Sequence, residues 1–166
     1  MIKILFAGEG GQGVQVVAEM LAKAAFLEGK KSLYIPNFGV EQRGGVSLAF
    51  VVIDGKSATY PKFEKANILA IFSDRSISRV KRYIDKDTQI VLGPVVTQKV
   101  EKSVSVKKDD ISTKAWNILI LGKVINLSKV VSKESLIKAM EERFKKYFDK
   151  DPKIKEMDFK ALNKEL

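Results

Sequence analysis

Apolar positions open the chain in an almost unbroken run from Ile2 to Ala7. The chain then passes through Gly8-Glu9-Gly10-Gly11-Gln12-Gly13, after which apolar residues recur at Val14, Val17, Met20, Leu21, Ala24 and Ala25. The first run has the density of a buried strand and the second the spacing of an amphipathic helix, with a glycine turn between them. Gly29 stands where glycine commonly closes a helix. Ser32 to Pro36 is a short apolar strand, 37–45 a glycine-rich loop, and Val46 to Ile53 a strongly β-forming run. Asp54-Gly55 is a hairpin dipeptide. It predicts a further strand over Ser57 to Tyr60, ended by Pro61 and antiparallel to its predecessor, so the sheet is expected to be mixed.

The second half continues the alternation of strand and helix. Ala66 to Phe72 reads as a buried strand, and Ser73 is placed to cap a helix over Asp74 to Tyr83 whose outer face carries Arg75, Arg79, Lys81 and Arg82. Gln89 to Leu92 is the next strand, broken by Gly93-Pro94. Val100 to Val106 alternates polar and apolar residues, as a half-exposed edge strand does. Ala115 to Leu127 is apolar nearly all round and reads as a buried helix, with Gly122 allowing a close neighbour and Trp116 expected in the core. Ser132 precedes a long helix with Leu136, Met140, Phe144 and Phe148 in one stripe, expected to pack on the sheet. From Asp149 the chain is charged and sparsely apolar, read as a tail at 149–166 that is loose or wraps a partner. The prediction is a single domain over 1–166, a three-layer α/β/α arrangement with a mixed, mainly parallel sheet.

Composition narrows the chemistry. The 166 residues include no cysteine and no histidine. That removes thiolate nucleophiles, cysteine-held iron–sulfur clusters and the commonest general base and metal ligand. A self-contained hydrolase or zinc enzyme is disfavoured, and no catalytic or metal-ligating residue is assigned. No apolar run approaches the roughly 20 residues that cross a bilayer. The N-terminus enters a strand without a signal-peptide layout, so a cytoplasmic protein is expected. The net charge of +10 is carried mostly by lysine in the middle and C-terminal third. Those lysines alternate with acids, as in 138–146, and have few interleaved aromatics, which reads as a solvated surface more than as a nucleic-acid footprint.

Candidate binding chemistry lies in the two glycine-bearing loops. Gly8, Gly10 and Gly13 fit the loose G-x-G-x-x-G pattern at a strand-to-helix turn, where first-turn amides and the helix dipole favour an anion. A dinucleotide site also needs an acid at the end of the second strand. Here that strand ends in Asn37 and Phe38, which weakens a stand-alone Rossmann-type nucleotide-binding enzyme. The bland alternative is that the glycines serve only a tight turn and close packing. In the second loop, Arg43 offers a planar fork suited to phosphate or carboxylate, and Glu41 is placed either to orient it or to pair with a neighbour. An internal Glu41–Arg43 ion pair is the alternative.

The two motifs together, Gly8-Glu-Gly-Gly-Gln-Gly13 and Phe38-Gly-Val-Glu-Gln-Arg-Gly-Gly45, resemble the gamma subunit or gamma domain of the 2-oxoacid:ferredoxin oxidoreductases. That family acts on pyruvate, 2-oxoglutarate, branched-chain 2-oxoacids or indolepyruvate. Weaker likenesses run through Tyr60-Pro61, Ala66, Asn117 to Gly122 and Phe159 to Leu162. Asp158 stands where the family more usually has asparagine. The resemblance implies one subunit of a complex that decarboxylates a 2-oxoacid, passes electrons to ferredoxin and forms an acyl-CoA. Thiamine diphosphate and iron–sulfur clusters would sit on alpha, beta and delta partner subunits, and coenzyme A would be a co-substrate of the whole. This chain would then be a non-redox component, inactive alone and open to self-association when isolated. Its binding residues would be Gly8, Gly10, Gly11, Gln12 and Gly13 in the first loop and Glu41, Arg43 and Gly44 in the second. A stand-alone nucleotide-binding protein ranks second and a basic nucleic-acid-binding module third.

Overall fold

The computed structural model describes residues 1–38, 45–54 and 63–166. Strand β1 (Ile2–Glu9) leads through the glycine turn into α1 (Val14–Leu27), then β2 (Lys31–Asn37), β3 (Val46–Asp54) and β4 (Ile68–Ile71). A broken helical segment follows, with α2 (Ile77–Val80) between two 3-10 turns (Asp74–Ser76 and Lys81–Tyr83). Then come β5 (Gln89–Leu92), β6 (Ser103–Ser105), a 3-10 turn (Thr113–Ala115), α3 (Trp116–Ser128), α4 (Lys133–Lys150) and α5 (Pro152–Glu165).

The six strands lie in the order β2-β3-β1-β4-β5-β6. β1, β4, β5 and β6 pair in parallel, whereas β3 runs antiparallel to both β1 and β2. The sheet is therefore mixed and mainly parallel, as expected, and β3 itself is the reversed strand. The hairpin expected at Asp54-Gly55 and the strand over 57–60 fall outside the described residues.

Side chains alternate through the sheet. Ile4, Phe6, Ala49, Val51, Ala70 and Val91 face one core, and Leu5, Ala7, Phe50, Val52, Leu69, Ile71 and Leu92 the other. The first core is thick. α1 and α3 lie on the sheet, α4 packs mainly against α1, and α5 against α3. The second is thin, closed by the broken helix with Phe50, Phe63 and Tyr83 in edge-to-face contact.

Three expectations change. The helix predicted over 74–83 is short and irregular, and Ser73 does not cap it. Its hydroxyl is buried without a hydrogen-bond partner among the described residues, while Ser76 Oγ donates to the Ser73 carbonyl at 2.8 Å and Asp74 is held by Thr97 and Gln98. The stripe on α4 buries Leu136, Met140 and Phe148, but against other helices rather than the sheet. The charged stretch after Asp149 is helix α5, started by Asp151, whose carboxylate accepts from Lys153 N, with Pro152 in the first turn. Its Ala161 and Leu162 are buried, and a Cβ on Gly122 would stand only 3.2 Å from Leu162 O and 3.1 Å from Glu165 Cβ, so the glycine lets the two helices approach closely. No helix among the described residues is long and apolar enough to cross a membrane.

Candidate functional site

The order of strands fixes where a crevice can form. From β1 the chain moves outward to β2 and back through β3, and β4 then adds on β1's other side. The carboxyl ends of β1 and β4 are therefore a topological switch point, where open α/β sheets leave room for ligands. A cleft of about 230 Å³ opens there, lined by Gly11, Gln12 and Gly13 after β1, Phe72 after β4, Pro94 and Val95 after β5, and Thr113, Lys114, Trp116, Asn117 and Ile120 at the start of α3.

The glycine turn is shaped by contacts that admit no side chain. A Cβ on Gly8 would stand 2.6 Å from Gln12 Oε1, 2.7 Å from Phe72 Cβ and 2.8 Å from Val14 Cγ2. Gly13 caps α1 in the left-handed region at φ 76°, and a Cβ there would run into the amide of Asn117. The beginnings of α1 and α3 are thus in contact, with their positive dipole ends on one cleft. No carboxylate is among the described lining residues, and Lys114 stands exposed at the rim. The arrangement suits an anionic ligand.

The turn's own hydrogen bonds decide which groups remain available. Gln12 Oε1 accepts from Glu9 N at 2.7 Å, and its Nε2 faces the Phe72 carbonyl at 3.5 Å. Gln12 N donates to the Glu9 carbonyl at 3.1 Å and Gly10 N to the Gly45 carbonyl at 3.1 Å. Gln12 is therefore a brace of the turn as well as part of the lining. The amides of Gly11 and Gly13 have no acceptor among the described residues.

The Gly10–Gly45 bond joins the two loops. It extends the β1–β3 ladder, which ends at Glu9 opposite Val46. Phe38, at the other root of the second loop, is 69% exposed. Gly8, Gly10, Gly11, Gln12 and Gly13 are gathered at one end of the sheet, whereas Glu41, Arg43 and Gly44 lie outside the described residues. Trp116, expected in the core, is half-buried at the cleft. Its Nε1 donates to the Ile111 carbonyl at 3.1 Å and Lys108 Nζ stands 6.0 Å from the ring centroid. Sequence reasoning missed Thr113, Lys114 and Asn117 as lining. The available signal was the helix start at Ser112-Thr113-Lys114, whose partner across the cleft is set only by tertiary packing.

Dinucleotide binding gains nothing from this geometry. β3 lies between β1 and β2, moving the end of β2 one strand spacing, about 4.8 Å, farther from the turn than in a doubly wound nucleotide fold.

A family model described as pyruvate ferredoxin/flavodoxin oxidoreductase matches residues 3–164. The pyruvate synthase subunit PorC of Methanocaldococcus jannaschii is 31% identical, over 99% of this chain and 98% of that protein. The gamma subunit of a keto/oxoacid ferredoxin oxidoreductase from Geobacter sulfurreducens shares the fold at a TM-score of 0.76 and 24% identity, over 98% of both chains. A 2-oxoglutarate:ferredoxin oxidoreductase from Magnetococcus marinus, solved with 2-oxoglutarate, coenzyme A and succinyl-CoA bound, reaches a TM-score of 0.86 at 19% identity. That match covers 99% of this chain and 30% of the larger one. With the glycine turn of the first motif at the switch point of a sheet of this topology, and a family match running almost end to end, the chain belongs to the pyruvate ferredoxin/flavodoxin oxidoreductase family.

Proposed function

We propose that this chain is the gamma subunit of a cytoplasmic 2-oxoacid:ferredoxin oxidoreductase complex and forms the coenzyme A side of its active site. The observation that carries the coenzyme A assignment is the cleft where the glycine turn, the start of α3 and Lys114 converge, with no carboxylate among its described lining residues. The relative solved with coenzyme A bound makes that ligand the one to test. A coenzyme A phosphate would meet the amides of Gly11 and Gly13 and the Lys114 ammonium, with Gly8 and Gly10 shaping the turn and Gln12 bracing it. In this reading Arg43 would add a charge-assisted contact, Glu41 would orient it or pair with a neighbouring subunit, and Gly44 would complete the binding residues of the second loop. Decarboxylation on thiamine diphosphate and electron transfer through iron–sulfur clusters to ferredoxin belong to alpha, beta and delta partners. With neither cysteine nor histidine, this chain has no side chain suited to hold such clusters.

Coenzyme A titration of the assembled complex tests this reading. Arg43→Ala and Lys114→Ala should each raise the KM for coenzyme A about tenfold, the scale of one charge-assisted hydrogen bond, and leave the KM for the 2-oxoacid unchanged. Unchanged coenzyme A affinity in both variants, with assembly intact, would remove the cofactor-side role from this chain.

A further inference from the structure

One wall of the cleft is a loop held by a carboxylate that does not itself reach the cleft. β5 runs out into a tight turn in which Val96 N donates to the Gly93 carbonyl at 3.1 Å, and the two central residues, Pro94 and Val95, line the cleft. Proline suits the first central position of such a turn because its ring already fixes the φ required there. Gly93 brings the turn close to α3, since a Cβ on it would stand 2.8 Å from Ile120 Cδ1, and Ile120 lines the same cleft.

Two anchors hold the turn, and both come from the exit of β4. On one side Gly93 N donates to the Ile71 carbonyl at 2.7 Å. On the other the Asp74 carboxylate accepts three bonds. Thr97 N and Gln98 N each donate to Oδ1 at 2.9 Å, and the Thr97 hydroxyl donates to Oδ2 at 2.6 Å. These bonds, that of the Thr97 hydroxyl foremost, hold the Asp74 carboxyl below the usual carboxylate range. Asp74 follows Phe72, itself part of the cleft lining, by two residues, so one end of one strand carries both a wall of the cleft and the clamp on its neighbour. We infer that Asp74, acting through Thr97 and Gln98, is the positioning residue that fixes Pro94 and Val95 beside Phe72 and Ile120 and so sets how tightly the cleft takes coenzyme A. This rests on the coenzyme A reading above.

The test uses the assembled complex with three variants. Asp74→Ala removes all three bonds. Asp74→Asn keeps Oδ1 for the two backbone donors and offers Nδ2 to the Thr97 hydroxyl oxygen, so it preserves the clamp without the charge. Thr97→Val removes only the hydroxyl. Asp74→Ala should raise the KM for coenzyme A about three- to tenfold, with kcat and the KM for the 2-oxoacid unchanged, and Thr97→Val should give a smaller rise in the same direction. Asp74→Asn should stay within about twofold of the unmodified complex. The sign separates this from a long-range effect of charge, because removing a negative charge near an anionic ligand would lower the KM in both Asp74 variants. A fall in KM, or Asp74→Asn as weak as Asp74→Ala, would overturn the inference. Should Asp74→Ala fail to assemble, Thr97→Val decides, and an unchanged KM for coenzyme A there would overturn it equally. If Lys114→Ala weakens coenzyme A and the Asp74 and Thr97 variants do not, only the positioning role fails. If none of them does, the cleft loses the coenzyme A reading and the inference together.

Discussion

Asp158 is, among the described residues, a carboxylate whose surroundings suit its charge poorly. It is 5% exposed on α5, has no hydrogen-bond or ionic partner among the described residues, and its carboxyl is pushed up to about 6 by burial. A folded-state pKa above the ordinary value means that folding prefers the protonated form. The resulting penalty is absent below about pH 4, grows through the interval up to 6, and is complete above it. Asp158→Asn removes the ionisation. It should raise stability by about 1–2 kcal/mol at pH 8 and by almost nothing at pH 3.5, read as the difference in urea midpoints. Gly8 lies at the opposite extreme, since three side-chain atoms occupy the space of its missing Cβ.

Helices α1 and α4 are joined by a knot of polar groups where the first ends and the second begins. Glu28 accepts from Lys30 Nζ at 2.6 Å and from Ser132 N at 2.6 Å, and Lys30 Nζ also donates to the Val130 carbonyl at 2.5 Å. Burial opposes ionisation of Glu28, but the bonds from Lys30 and Ser132 outweigh it and lower the pKa to about 2. The stabilisation from this lowered pKa is therefore present above about 4.5 and is lost as the pH falls from there towards 2. Glu28→Gln should cost about 1–2 kcal/mol at pH 7 and become neutral near pH 2, measured by chemical unfolding across the range. Ser132 also caps α4 through Ser135 N, a feature legible in the sequence because serine before an amphipathic run has a local meaning. The first strand, the glycine turn and α1 were legible for the same reason. The irregular helix over 74–83 was not, because its geometry is set by Ser76 turning back on the Ser73 carbonyl and by Asp74 holding a distant loop. Nor was the docking of α5, whose acids and lysines look like a solvated tail until Asp109 and Asp110 are seen to pair with Lys164 and Lys160.

At the scale of the molecule, charge is locally matched on the helical side. Lys23 pairs with Glu142, Arg143 with Glu19 and Lys155 with Glu141. Such exposed pairs contribute little each, a median below about 1 kcal/mol, but they break up the basic field that nucleic-acid binding would use. The proposed division of labour makes the isolated chain catalytically silent. Purified alone, it should consume no 2-oxoacid with any electron acceptor, and turnover should appear only on adding the partner subunits; activity of the single chain would contradict the assignment. The reversed strand in the middle of the sheet also bears on how the protein is made. β1 and β2 emerge before β3, yet they do not pair with each other, because the slot between them belongs to β3. Until about residue 54 has left the ribosome, a nearly all-apolar β1 is without its β3 partner, and it is there that a nascent chain is most open to pairing with the wrong neighbour.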